Sequence, residues 1–428
     1  MRLALWPHLL DPLLAVGISE SSGNYVQALG ARVAGEGRLL RLGPTPLAVH
    51  GLSCKETHSE GEKRGNRVKI IGSTVDIVRL PLTTPFRTAL RQISTVQEIR
   101  VTIRTDSGLQ GVGSAAPTAR VTGDTLGAIQ SAVTEYILPH LAEGVDLRQH
   151  HRAFAVIEKA LVHNTAAKAA VDIAVHDVLA RSLDQPLVEW LGGSRCALTT
   201  DATVSLDAPE MMASQAGELL EQGFATLKVK LGGRDGRDPE RIEAVREKVG
   251  VQTRLLVDAN QAWTVREVLD YEPTLIACQV QWLEQPVEAR DIDGLAEVSR
   301  RGRLPVIADE SVYGIDDLLA VIQRRAADMV NIKLMKTGGL YVAMVLAALA
   351  RARGIKIMVG SMMEGIASVT AAAALAAAVD ADHLDLDAGY FLQSSLVKGG
   401  IRYQGPRIEL PDGPGLGTSF VVAEKGSA

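Results

Sequence analysis

The sequence predicts an α/β protein: a (β/α) barrel, in modified TIM-barrel form, preceded by an α+β capping domain. Charged residues recur at the ends of short aliphatic runs: Lys228 and Lys230 in TLKVKLGG, Asp258 in LLVDAN, Glu284 in VQWLEQP, Asp309 in PVIADE and Lys333 in MVNIKL. They stand about 24–30 residues apart, which is one strand, loop, helix and loop. Upstream, a stretch of alternating strands has no such rhythm. Polar residues at the C-terminal ends of successive parallel strands build the mouth of a barrel, where they converge on one site.

The 428-residue length exceeds one ordinary core and suits a barrel plus a second domain. Residues 1–67 contain turn-rich pieces (SESSGN, GPTP), end in the charged KETHSEGEKRGNR, and read as an extension or linker. The capping domain is expected over 68–190. KIIGSTVDIVRLPL, VQEIRVTIRTD, the turn Ser107-Gly108 and LQGVGSAAP predict a three-stranded meander. Helices follow near 124–143 with Thr122 as N-cap, near 149–161 and over 165–182.

The barrel is expected over 191–390, with eight strands from near Leu198 (LTTDATVSL) to HLDLDA at 383–388 and Asp207 capping the first barrel helix. The glycine- and proline-rich tail, 391–428, is expected to return to the capping domain. The alanine-rich stretch 367–379 is shorter than the roughly 20 apolar residues a bilayer requires, and reads as a closely packed barrel helix.

Composition narrows the function. A net charge of −5 with 22% charged residues offers neither a basic stripe for nucleic acid nor an acidic disordered run, which leaves small-molecule chemistry. Pro7, His8 and Asp11 interrupt the apolar core that a signal peptide needs. Three widely spaced cysteines fit a reducing cytoplasm, and a homo-oligomer with no membrane partner is expected.

Asp258, Glu284 and Asp309 offer hard oxygen ligands without a neighbouring histidine or cysteine, a set that suits Mg²⁺, one per subunit, or Mn²⁺. Asn260 is placed to hydrogen-bond behind them. Lys228 and Lys230 flank Val229 and so share the inner face of one strand, where mutual repulsion is expected to lower the pKa of one. Lys333 enters four strands further round, from the opposite wall. A carboxylate substrate on the metal would present its α-carbon to a lysine on each side, one removing a proton and the other returning it while the metal stabilises the enolate. Glu364 ends the strand of MVGSMMEG, and Asp385 and Asp387 stand at i, i+2 on the last strand. These extra carboxylates would attract a cation such as a substrate ammonium group. Gly338-Gly339 could bind phosphate at a helix N-terminus, although such a pair more often only makes the turn.

The motifs K-V-K, D-A-N, W-L-E-Q-P, A-D-E-S and N-I-K-L, with the preceding meander, resemble the enolase superfamily, muconate-lactonising-enzyme subgroup. Within it, TTPFRTALR (83–91), TGDT (122–125), NIKLMKTGG (331–339), VGSMMEG and Asp385-x-Asp387 are similar to dipeptide epimerases of the L-Ala-D/L-Glu type. The resemblance implies that Asp258, Glu284 and Asp309 bind Mg²⁺, that Lys230 and Lys333 are the acid/base pair, and that Lys228 tunes Lys230. It further implies that Asp385 and Asp387 hold the dipeptide ammonium group and that Arg91, in a mobile capping loop, meets an acidic substrate side chain. The alternatives are N-acylamino acid racemisation, o-succinylbenzoate synthesis or muconate cycloisomerisation, or a non-catalytic metal-binding barrel. AGYFLQ after Asp387 and Gly365-Ile366-Ala367 after Glu364 depart from the family pattern and bear on side-chain specificity. The resemblance starts at Val68, which leaves residues 1–67 as a start assigned too far upstream, a remnant of a fused neighbour or an interaction arm.

Overall fold

The computed structural model describes residues 68–421, so the extension at 1–67 lies outside the described residues. Strands β1 (Ile70–Arg87), β2 (Gln92–Thr105) and β3 (Gln110–Ala115) form an antiparallel sheet in that order. β1 runs past the expected end at Leu82 because the chain bulges between Pro81 and Phe86 and then pairs again, Phe86 with Ile93 and Arg87 with Gln92. The resulting hairpin tip closes with Thr88 N–H donating to Arg91 O at 2.9 Å. It reaches the barrel mouth, where Leu206 N–H donates to Arg87 O at 3.0 Å.

Behind the sheet, α1 (Leu126–Ser131) continues through a π-helical stretch, Ala132–Ile137, into α2 (Leu138–Ala142). The cap of α1 is Thr125, whose side chain accepts from Ala128 N–H. Thr122, the expected cap, instead accepts from Asp124 N–H in the preceding turn, at 3.2 Å. After α3 (His150–Lys159) comes α4 (Thr165–Ser182), buried from Ala166 to Ala180. Small residues permit that burial. A Cβ at Gly113 of β3 would lie 2.1 Å from Ala170 O, so sheet and helix backbones nearly touch. On another face of α4, Asp172 accepts from Leu340 N–H at 2.6 Å. The capping helix therefore also supports a barrel helix.

The short β4 (Leu198–Thr199) pairs with the tail and not with the barrel. Among the described residues the parallel sheet has eight strands in sequential order: β5 (Ala202–Val204), β6 (Thr226–Lys230), β7 (Arg254–Asp258), β8 (Val280–Glu284), β9 (Val306–Ala308), β10 (Met329–Lys333), β11 (Lys356–Gly360) and β12 (His383–Asp385). Asp201 N–H donates to Leu384 O at 3.1 Å and draws the last strand to the first. The connecting helices are α5 (Pro209–Glu221), α6 (Asp238–Val249), α7 (Val265–Ala277), α8 (Ile292–Arg301), α9 (Ile315–Arg324), α10 (Leu340–Ala352) and α11 (Ile366–Ala378). Helix α5 begins after Ala208 with Pro209 in its first turn, and the Asp207 carboxylate accepts from the adjacent Ala208 N–H and pairs with Arg87, so it does not cap. The alanine-rich α11 is buried from Ile366 to Ala376. No helix among the described residues is long and apolar enough to cross a membrane.

The tail forms β13 (Val397–Gly399), which pairs with β16 (Thr418–Phe420), and β14 (Arg402–Gln404) with β15 (Arg407–Glu409), which adds β4. It is tied to the capping elements by Arg100, which donates to Ser395 O at 2.7 Å and Leu396 O at 2.9 Å. Arg181 adds a bond to Thr418 O at 2.8 Å.

Candidate active site

Each barrel strand presents alternate residues inward, and the inward residues at the C-terminal ends are the charged ones. β6 supplies Lys228 and Lys230, β7 Asp258, β8 Glu284, β10 Asn331 and Lys333, and β12 Asp385; Asp309 directly follows β9. Val229, Val257 and Leu283, from the other face of these strands, lie in the main apolar core.

A cleft of about 540 Å³, partly open to solvent, lies between these strand ends and the hairpin tip. Lys230, Lys333, Asn260, Asp309, Asp385 and Asp387 line it from the barrel, and Arg91 lines it from the hairpin. Lys230 and Lys333 stand four strands apart in the eight-stranded sheet and so enter from opposite walls. Lys230 Nζ lies 2.6 Å from Asp258 Oδ2, and Lys333 Nζ lies 2.7 Å from Asp309 Oδ2. No ion pair holds the half-buried Arg91 among the described residues, and burial pulls its pKa down.

Asp258, Glu284 and Asp309 are buried, and each offers one oxygen within 4.8 Å of the others. Asn260 fixes Asp258 through its backbone N–H at 2.8 Å and its side-chain amide at 3.2 Å, and Asn331 Nδ2 donates to Glu284 Oε1 at 2.9 Å. Burial, opposed by Lys228 but reinforced by the Asp258 and Asp309 charges, pushes Glu284 up to about 8. Burial would also raise Asp309, but Lys333 and Lys336 hold it well below the usual carboxylate range. Three oxygen donors at this spacing, two of them held by amides and together crowded enough to raise one pKa, fit a hard divalent cation.

Lys228 corrects the expectation of lysine–lysine repulsion. Its ammonium lies 2.7 Å from Glu284 Oε2, 2.7 Å from Asp385 Oδ2 and 3.2 Å from Asp258 Oδ2, fully buried and outside the cleft lining. Burial opposes its charge, yet Asp385, Glu284 and Asp258 outweigh burial and raise its pKa well above the ordinary value. Lys228 is thus a fixed positive charge among the carboxylates.

Glu364 also sits differently from the sequence expectation. It is buried, its Oε1 accepts from Met362 N–H at 2.9 Å, and Met362 and Met363 line the cleft where Glu364 does not. Burial pushes its carboxyl up to about 7. Gly338-Gly339 forms a turn with both φ angles positive, and a Cβ on Gly339 would lie 2.3 Å from the Asp172 carboxyl carbon. The start of α10 therefore already faces a carboxylate, which leaves no room there for phosphate.

Four site residues escaped sequence reasoning. Lys336 lies 2.6 Å from Asp309 Oδ1 and donates to Asn331 O at 2.9 Å. Glu310 accepts from Asn260 Nδ2 at 3.1 Å. Asn331 holds Glu284, as above. Asp201, ahead of β5, lies 2.9 Å from His383 Nε2 and beside Asp385 and Asp387. Each had a faint signal, a polar residue one to three places from a strand end, but only barrel closure shows the contact.

Comparison with known proteins is consistent with this architecture. Residues 70–192 match the family model described as "Mandelate racemase / muconate lactonizing enzyme, N-terminal domain", and residues 211–424 match "Enolase C-terminal domain-like". The chain belongs to the enolase superfamily. It is 40% identical over 363 residues to the L-Ala-D/L-Glu epimerase of Bacillus subtilis (strain 168), covering 84% of this chain and 99% of that one. A substrate-liganded structure of that epimerase aligns with a TM-score of 0.80 over 82% of this chain and 98% of its own. A dipeptide epimerase from Enterococcus faecalis V583, solved with Mg and L-Leu-L-Tyr, aligns with a TM-score of 0.79 at 34% identity over 83% and 100%. The N-succinyl-L-Arg/Lys racemase of Bacillus cereus is 33% identical over 353 residues, 82% of this chain and 95% of that one. These relatives are isomerases.

Proposed function

We propose that this protein is a Mg²⁺-dependent dipeptide epimerase that inverts the α-carbon of a C-terminal acidic residue, as in L-Ala-D/L-Glu, through Lys230 and Lys333. The observation that carries this reading is the placement of the two lysines on opposite walls of one cleft that also contains Asp385 and Asp387. Asp258, Glu284 and Asp309 would hold the ion, with Mn²⁺ a substitute. Mg²⁺ bound there supplies positive charge that offsets the negative charge developing at the substrate carboxylate when the α-proton leaves.

The residues of the chain do the rest. The neutral Nζ of one lysine takes the α-proton from one face, and the ammonium of the other returns a proton to the opposite face; the roles exchange for the reverse reaction. Asp385 and Asp387 attract the substrate ammonium, and the Arg91 guanidinium receives the side-chain carboxylate. Lys228 holds a fixed charge behind Asp258, Glu284 and Asp385. The likeness to epimerases of dipeptides supports the substrate class.

N-acylamino acid racemisation is the second reading, favoured by the likeness to the N-succinyl-L-Arg/Lys racemase. It leaves Asp385 and Asp387 facing a substrate without an ammonium group. NMR of the C-terminal α-proton in D₂O, with Mg²⁺ and a panel of L,L-dipeptides including L-Ala-L-Glu, tests the choice. Exchange with accumulation of the L,D product supports epimerisation. Exchange only with N-succinyl amino acids overturns it.

A further inference from the structure

We propose that Asp201 is a third carboxylate of the ammonium-binding site, a positioning residue held by His383, and that it strengthens selection for substrates with a free amino group. This rests on the dipeptide reading of the cleft.

One oxygen from each of Asp201, Asp385 and Asp387 lies within 4.8 Å of the others, and all three residues are buried. Their partners divide unequally. Asp385 is paired with Lys228, which Glu284 and Asp258 share. Asp387 Oδ2 accepts a neutral backbone N–H, that of Thr203, at 2.7 Å. Asp201 Oδ2 meets His383, while Asp201 Oδ1 is buried with no hydrogen-bond partner among the described residues. Three buried carboxylates therefore share one lysine, itself divided among other acids, and one histidine. A buried carboxylate oxygen without a partner is costly unless a cation completes the site. Asp385 and Asp387 line the cleft and would contact that cation directly. Asp201 acts from behind them, and His383 fixes it in place.

A rival account makes Asp201 only a clasp for the barrel, since its backbone N–H donates to Leu384 O at 3.1 Å. That bond survives in Asp201→Asn, so the variant separates the carboxylate charge from the clasp. The experiment measures, by calorimetry on Mg²⁺-loaded protein, the affinity for L-Ala-L-Glu and for N-acetyl-L-Ala-L-Glu. Wild type is expected to favour the free amine, and absence of that preference would refute the dipeptide reading itself. In Asp201→Asn the ratio of the two affinities is expected to fall about tenfold, the effect of removing one buried charge that lies behind the two carboxylates meeting the ammonium. His383→Gln, which loosens Asp201 but leaves its charge, should lower the same ratio by a smaller factor. A structural clasp would weaken both ligands together. An unchanged ratio in Asp201→Asn, with wild-type preference intact, overturns the inference and leaves the dipeptide reading standing. If Asp201→Asn does not fold, the His383→Gln ratio decides: a fall supports the inference and an unchanged ratio overturns it.

Discussion

Replacing Lys228 by methionine removes the fixed charge at the centre of the site while keeping most of its volume. Lys228 Nζ makes contacts of 2.7, 2.7 and 3.2 Å to Glu284, Asp385 and Asp258. At an effective dielectric near 20, each is worth about 5–6 kcal/mol of gross attraction, offset by several kcal/mol of desolvation. Without the ammonium the three carboxylates repel one another with nothing between them, and breaking a buried pair in this way costs about 3–5 kcal/mol. Unfolding entropy of about 2.1 cal/mol/K per residue over roughly 350 residues converts that loss into a Tm lower by about 4–7 °C. Differential scanning fluorimetry of metal-free wild type and Lys228→Met measures it. Because Lys228 and a bound cation would share Asp258 and Glu284, added Mg²⁺ should raise the Tm of the variant more than that of wild type. A metal-free variant within 1 °C of wild type, or a smaller Mg²⁺ response in the variant, would refute this electrostatic account.

Arg91→Gln should lower kcat/KM for L-Ala-L-Glu by about 10–150-fold, the equivalent of roughly 1.5–3 kcal/mol for a hydrogen bond to a charged group, and change dipeptides with apolar C-terminal residues much less. Burial raises the Glu364 pKa from 4.5 to about 7, so the folded state binds that proton more tightly; its contribution is present below pH 4.5 and is lost as pH rises through about 7. Urea midpoints of wild type and Glu364→Gln between pH 5 and 8 should show wild type losing up to about 3 kcal/mol relative to the variant, and parallel curves would contradict this. Chelation with EDTA should abolish α-proton exchange, and Mg²⁺ in excess should restore it. The same addition should raise stability by about 2.7 kcal/mol at a hundred times Kd, read as a Tm shift.

The barrel was legible because its signal repeats. Each of β6 to β10 carries aliphatic residues into a packed core and places a charge at or just beyond its C-terminal end, so composition and spacing agree. Asp258, Glu284 and Asp309 could be grouped from sequence because they close successive strands. Asp201 could not, since its partners His383, Asp385 and Asp387 lie at the other end of the barrel sequence and meet it only on closure. Lys228 was misread because alternation places two lysines on one face but does not reveal that three carboxylates surround the inner one. Thr122 and Thr125 have equal capping chemistry, and the turn at Asp124 decides between them. The bulge after Pro81, which carries β1 on to Arg87 and brings Arg91 to the cleft, has no clear periodic trace.

In the proposed reaction two lysines serve opposite faces of one α-carbon. The most direct test is α-proton exchange in D₂O with Mg²⁺, following L-Ala-L-Glu and L-Ala-D-Glu separately with wild type, Lys230→Ala and Lys333→Ala. Wild type is expected to exchange and interconvert both, neither variant to epimerise, and each variant to exchange only one stereoisomer, opposite for the two. A variant that still epimerises, or two variants that retain exchange of the same stereoisomer, would contradict the two-lysine reaction.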